Sequence, residues 1–166
     1  LLAAGGLWFG LLMQAGGDAA PSFKKIQITD KFWAEGAHYG DFNRDGAMDV
    51  VVGPYWYAGP RFTDRHEYYP AEATWTLKKP DGPEVVVEGY EGGLGTKNAY
   101  SDNFLTYTFD FNQDGWKDIL VFPHPGTETY WYENPQGADG HWPRHLTIAV
   151  ADNESPMLQD LTGDGY

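Results

Sequence analysis

The feature that most limits what this chain can become is a nine-residue pattern, Asp41-Phe42-Asn43-Arg44-Asp45-Gly46-Ala47-Met48-Asp49. It recurs as Asp110-Phe111-Asn112-Gln113-Asp114-Gly115-Trp116-Lys117-Asp118 and opens a third time as Asp160-Leu161-Thr162-Gly163-Asp164-Gly165-Tyr166. Side-chain oxygens at positions 1, 3 and 5, a glycine at 6 for a sharp turn and a carboxylate at 9 suit a hard cation that takes many oxygen ligands. Calcium is the ion expected, one per complete motif. The candidate ligands are Asp41, Asn43, Asp45, the Ala47 carbonyl and Asp49 in the first loop. In the second they are Asp110, Asn112, Asp114, the Trp116 carbonyl and Asp118. The third offers Asp160, Thr162 and Asp164 without a ninth residue, so weak binding is expected there.

Position 12 separates this loop from the EF-hand, which needs a bidentate Glu there and flanking helices. Here the twelfth residues are Val52 and Val121, each inside an apolar run. Loops whose ligands all come from one short segment, repeated along a chain, serve as structural staples more often than as catalytic centres, which keep a coordination position open.

Lys and Arg total 11 against 24 Asp and Glu, for a formal net charge of −13, which disfavours nucleic acid and anionic membranes as partners. Eight of those acids lie within the three motifs, so three divalent ions would bring the charge to about −7. With no Cys, disulfides, zinc thiolates and thiol nucleophiles are excluded. Residues 1–20 run from an apolar, uncharged Leu1–Met13 into small residues ending in Ala19-Ala20, the order of a secretory signal peptide whose basic start is missing. The expected location is secreted, periplasmic or cell-surface, with no membrane insertion of the mature chain. The sequence reads as clipped at both ends.

Beyond residue 20 the periodicity is that of short strands, beginning with an alternating Phe23–Thr29, and no stretch carries a long apolar stripe at helical spacing. The fold class expected is all-β. Each Asp-rich loop is left by an apolar run, Val50-Val51-Val52 or Ile119-Leu120-Val121-Phe122, then by Tyr55-Trp56-Tyr57 or Tyr130-Trp131-Tyr132, a Pro turn, and Arg65-His66 or Arg144-His145. A unit of strand, loop, strand, aromatic strand, turn and Arg-His thus occurs twice, as in an array of four-stranded antiparallel propeller blades. Motif starts at 41, 110 and 160 are spaced by 69 and 50 residues, and the excess falls at 71–96, read as an extra hairpin or long loop. The organisation expected is a first blade over 21–96, a second over 97–150 and the start of a third over 151–166. A propeller needs about four to eight blades to close, so this would be the amino-terminal part of a larger ring.

The loops Asp41 to Gly53 and Asp110 to Phe122, each with its apolar strand, resemble the FG-GAP/VCBS repeats of integrin-α-like β-propellers. The wider unit, including Tyr130-Trp131-Tyr132-Glu133-Asn134-Pro135 and Trp142-Pro143-Arg144-His145-Leu146, is similar to secreted bacterial proteins of that type. The resemblance spans about residues 23–166 and implies a seven-bladed propeller with calcium between strands and a role in binding or adhesion. It places the ligands on Asp41, Asn43, Asp45, Asp49, Asp110, Asn112, Asp114 and Asp118. Neither copy holds the tetrapeptide that names the repeat.

Other chemistry-bearing residues read as structural. The recurring Tyr-Trp-Tyr triplets suit packing between blades, though exposed Trp and Tyr could also stack on sugar rings. His66 and His145 hold equivalent places, as strand-end contacts do; His38, three residues before Asp41, could support a metal ligand. Glu35 and Glu154, each six residues before a motif, read as braces rather than as a glycosidase pair. No Ser-His-Asp order, phosphate loop or dinucleotide fingerprint stands out. The expected function is a calcium-stapled extracytoplasmic binding or scaffold module, rather than an enzyme, whose partner is a carbohydrate or another extracellular protein. The alternative is part of a secreted carbohydrate-active lyase or hydrolase, with its active site in the 71–96 insertion or beyond residue 166; a surface protein with no ligand also fits.

Overall fold

The computed structural model describes residues 21–71, 74–77, 82–88, 101–152 and 155–165. The leader-like segment 1–20, Gly92-Gly93-Leu94-Gly95 and Glu154 lie outside them. Among the described residues there are ten strands and no helix. β1 (Ala37–Gly40), β2 (Asp49–Val52), β3 (Tyr55–Tyr57) and β4 (Arg65–Glu67) form one antiparallel four-stranded sheet in chain order. β7 (Leu105–Phe109), β8 (Asp118–Phe122), β9 (Thr127–Tyr132) and β10 (Arg144–Ala151) form a second in the same order. Between them β5 (Thr74–Leu77) and β6 (Val85–Glu88) pair as a separate hairpin, which accounts for part of the long first interval.

The register explains why the Asp-rich pattern sits where it does. Gly40 pairs with Asp49 and Phe109 with Asp118, so each loop is the connection between the first two strands of its sheet. The β-branched and aliphatic runs Val50–Val52 and Ile119–Val121 then become the second strands; Ile119–Val121 are buried on both faces, while in the first run Val51 is buried and Val50 and Val52 are half-buried. The third and fourth strands match as closely: Trp56 pairs with His66 and Tyr57 with Arg65, as Trp131 pairs with His145 and Tyr132 with Arg144.

Alternation along β3 sends Trp56 to one face and Tyr55 and Tyr57 to the other. Tyr55 and Tyr57 close over Trp33, with Ile28 and Phe62 packed around them. Trp56 joins Phe42 and Val51 in the main core, whose other members are Tyr68 and, from the second sheet and its connections, Ile119, Val121, Tyr132 and Trp142. The two sheets therefore pack face to face, with the core between them and β1 lying alongside β7. Tyr68 anchors this layer, its ring centroid 5.2 Å from that of Tyr132 and 5.6 Å from that of Trp142. The first of these pairs is edge-to-face, an arrangement that adds about 1 kcal/mol beyond the area it buries.

The strand expected over Phe23–Thr29 is not formed. Residues 21–29 carry no strand, and Phe23 is 91% exposed. A period of two specifies a strand only where a neighbour supplies the ladder, and none of the described strands pairs with this segment. Only Ile28, at its end, reaches a core cluster. Among the described residues no helix is long and apolar enough to cross a membrane.

Candidate metal centre

Each loop folds by the same local chemistry. Asp41 accepts from the Asp45 N–H at 3.1 Å and from the Gly46 N–H at 3.0 Å; Asn43 Oδ1 accepts from the same Asp45 N–H at 3.0 Å, and Asp45 Oδ1 from the Ala47 N–H at 2.8 Å. In the second loop Asp110, Asn112 and Asp114 repeat the set, bonding the N–H groups of Asp114, Gly115 and Trp116 at 2.8–3.1 Å. Position 6 must be glycine because its φ is +86° at Gly46 and +88° at Gly115. Position 4 is also left-handed, at 59° for Arg44 and 62° for Gln113. The third loop has the same two left-handed positions, Gly163 and Gly165, and Asp160 accepts from Gly165 N–H at 2.7 Å. Its Thr162 N–H and Gly163 N–H also bond Asp160, at 3.0 and 2.6 Å.

Two consequences bear on metal binding. The oxygens of positions 1 and 3 converge on one N–H, which draws Asp41, Asn43 and Asp45 to one end of the first loop, as Asp110, Asn112 and Asp114 are drawn in the second. The ninth residues are occupied differently. Asp49 Oδ2 accepts from Phe42 N–H and Oδ1 from Gly59 N–H, both at 2.8 Å, and Asp118 takes Phe111 N–H at 2.8 Å and Asn134 N–H at 2.9 Å. Both carboxylates are fully buried. They clasp the start of the loop to the end of the aromatic strand; at these residues, as at positions 1, 3 and 5, a metal would take the second lone pairs of oxygens already bonded. Among the described residues no group of three or more Asp, Glu or His forms a ready-made cage.

Burial raises the Asp49 and Asp118 pKa values, and the other acids of each loop add to the effect, while the two N–H donors oppose it. Burial also pushes Asp114 upward, but the Trp116 N–H, the Gln136 and Asn112 amides and the Arg44 guanidinium prevail and hold it low. The Gly165 and Gly163 N–H groups hold Asp160 low.

The two loops are physically joined, which the local pattern did not disclose. Asn134, buried at the end of β9, donates from Nδ2 to Phe42 O at 2.9 Å in the first loop and to Lys117 O at 3.0 Å in the second. Its Oδ1 accepts from Gln136 N–H, and Gln136 Nε2 reaches Asp114 Oδ2, both at 3.0 Å. The Arg44 guanidinium lies 5.2 Å from the Trp116 ring centre. The only sequence signal for this was that Asn134 stands where the first unit has Gly59. Asn134→Ala is expected to cost about 2 kcal/mol, the loss of buried bonds with their partners left behind, read as a lowered urea midpoint; an unchanged midpoint would remove Asn134 from this role.

The remaining candidates are structural in placement. His66 stacks on Trp56 at 4.0 Å and His145 on Trp131 at 4.4 Å, with Arg65 over Tyr55 and Arg144 over Tyr130. His38 turns from the metal loop: the Thr108 hydroxyl donates to Tyr39 O at 2.6 Å, so it accepts from His38 Nδ1–H at 2.8 Å. Burial lowers the His38 pKa, in keeping with a neutral ring. Glu35 braces the second sheet by accepting from Ser101 N–H at 2.9 Å and Ser101 Oγ–H at 2.6 Å. No protein-family model, curated protein or solved structure matches the chain.

Proposed function

We propose that this chain is part of a calcium-stapled, extracytoplasmic β-propeller of FG-GAP/VCBS type that serves as a binding or scaffold module. The observation that carries the reading is the common construction of the loops: the same left-handed positions and inward-turned oxygens at 41–46 and 110–115, with Asp160–Gly165 sharing the first and last of these features. Two antiparallel sheets in chain order, packed face to face with their first strands adjacent, are the arrangement that successive blades require. Bound calcium would be held by Asp41, Asn43, Asp45, the Ala47 carbonyl and Asp49, and by Asp110, Asn112, Asp114, the Trp116 carbonyl and Asp118. It would neutralise acids that otherwise repel and fix the entry to the strand that follows.

Thermal unfolding with calcium, with chelator and with magnesium tests this. At a hundredfold excess over the dissociation constant, calcium should stabilise the chain by about 2.7 kcal/mol, and Asp45→Ala or Asp114→Ala should reduce both the shift and the affinity. A folded sample with no calcium-specific shift would make the loops ordinary turns held by side-chain to backbone bonds.

A further inference from the structure

A cleft of about 410 Å³ opens between the two sheets, with Phe42, Trp56 and Trp142 in its floor and His66, Glu67 and Asn134 among its polar lining. Its volume lies in the range of small-molecule sites, which combine an apolar bed with a few placed polar groups. The floor belongs to the packing common to both sheets, for Phe42 lies 5.8 Å from Trp56 as Phe111 lies 5.7 Å from Trp131. The polar groups do not. His145 Nε2 bonds Glu133 Oε2 at 2.8 Å, whereas the first sheet has Ala58 where Glu133 stands, and the His66 ring nitrogens bond no described residue. Glu67 corresponds to Leu146 in the second sheet. Its Oε1 is met at 2.9 Å by Nε2 of His141, which comes from the loop before β10 and so bridges the two sheets. Packing residues recur from sheet to sheet, as the stacking of His66 on Trp56 does, but an imidazole with its nitrogens open to the cleft beside Glu67 has no counterpart in the second sheet.

We propose that this cleft binds one neutral sugar ring, with His66 and Glu67 bonding hydroxyl groups and the little of Trp56 and Trp142 that reaches the cleft supplying apolar contact. An imidazole offers a donor and an acceptor, and a carboxylate accepts from hydroxyls without needing a charged partner. The acidic chain and the presence of Glu67 and Asp139 in the lining disfavour an anion. The proposal deepens the binding-module reading and does not depend on calcium.

The test titrates the full chain, saturated with calcium, with glucose, galactose, mannose and N-acetylglucosamine and their disaccharides, followed by tryptophan fluorescence and calorimetry. At least one sugar should saturate. His66→Ala and Glu67→Ala, both at exposed positions, should each weaken it tenfold or more with an unchanged circular dichroism spectrum, and His145→Ala should stay within twofold. Absence of saturation by every sugar overturns the proposal, as does equal weakening in His145→Ala. The calcium-dependent melting shift, recorded on the same samples, reports separately on the metal reading, so either can fail while the other stands.

Discussion

Gly59→Ala should lose about 3–4 kcal/mol of stability, one of the two largest effects of any single substitution considered. A Cβ at this position would stand 2.0 Å from the Met48 carbonyl oxygen and 2.9 Å from its carbon, so backbone must move. Movement is costly because Gly59 N–H is held 2.8 Å from the buried Asp49 carboxylate. Overpacking alone costs about 1–3 kcal/mol, and losing a bond to a buried charge adds to it. The second sheet accommodates a side chain here: Asn134 spans to the corresponding carbonyl, Lys117 O, at 3.0 Å. Chemical denaturation of the variant is the check, and a loss below 1 kcal/mol would mean that the loop and the aromatic strand are not locked together.

Asp118→Asn, measured in chelator so that metal plays no part, is expected to cost about 3 kcal/mol. Each carboxylate oxygen accepts one backbone N–H, from Phe111 and Asn134, in a site closed to water. An amide of the same size keeps one acceptor and points its NH2 at the other donor. That loses a charge-assisted bond worth about 1.5–3 kcal/mol and leaves a buried N–H orphaned. Removing a buried charge returns part of this, since burial is the main influence raising the Asp118 pKa. A variant as stable as the parent would show that a neutral group serves equally well and would end the clasp interpretation of both Asp118 and Asp49.

What could be read from residues alone was what local chemistry decides. The Asp-x-Asn-x-Asp-Gly pattern dictates its own turn, because each side-chain oxygen finds an N–H two to five residues on. The apolar runs after it had to be second strands, and the Tyr-Trp-Tyr triplets had to split across two faces. Readings that needed a distant partner fared differently. Phe23–Thr29 alternates correctly but has no neighbour to pair with. Spacing puts Asp49 at the close of the loop, and only the fold brings the Gly59 N–H onto it. His66 and His145 look alike in sequence until Ala58 and Glu133 are set beside them. Asn134 carries bonds 92 and 17 residues away, and no local pattern announces them.

That last contact changes what should be counted as one building block. Phe42 belongs to the first sheet, yet its carbonyl is satisfied by an amide from the second, and the core that buries Trp56 is completed by Tyr132 and Trp142. A chain cut between β6 and β7 would separate acceptor from donor and leave half a core on each side. The donor and its acceptor, and the two halves of the core, therefore belong to one unit that spans both sheets. In arrays where stability is a sum of units and nearest-neighbour interfaces, a junction this demanding shifts the weight to the interfaces.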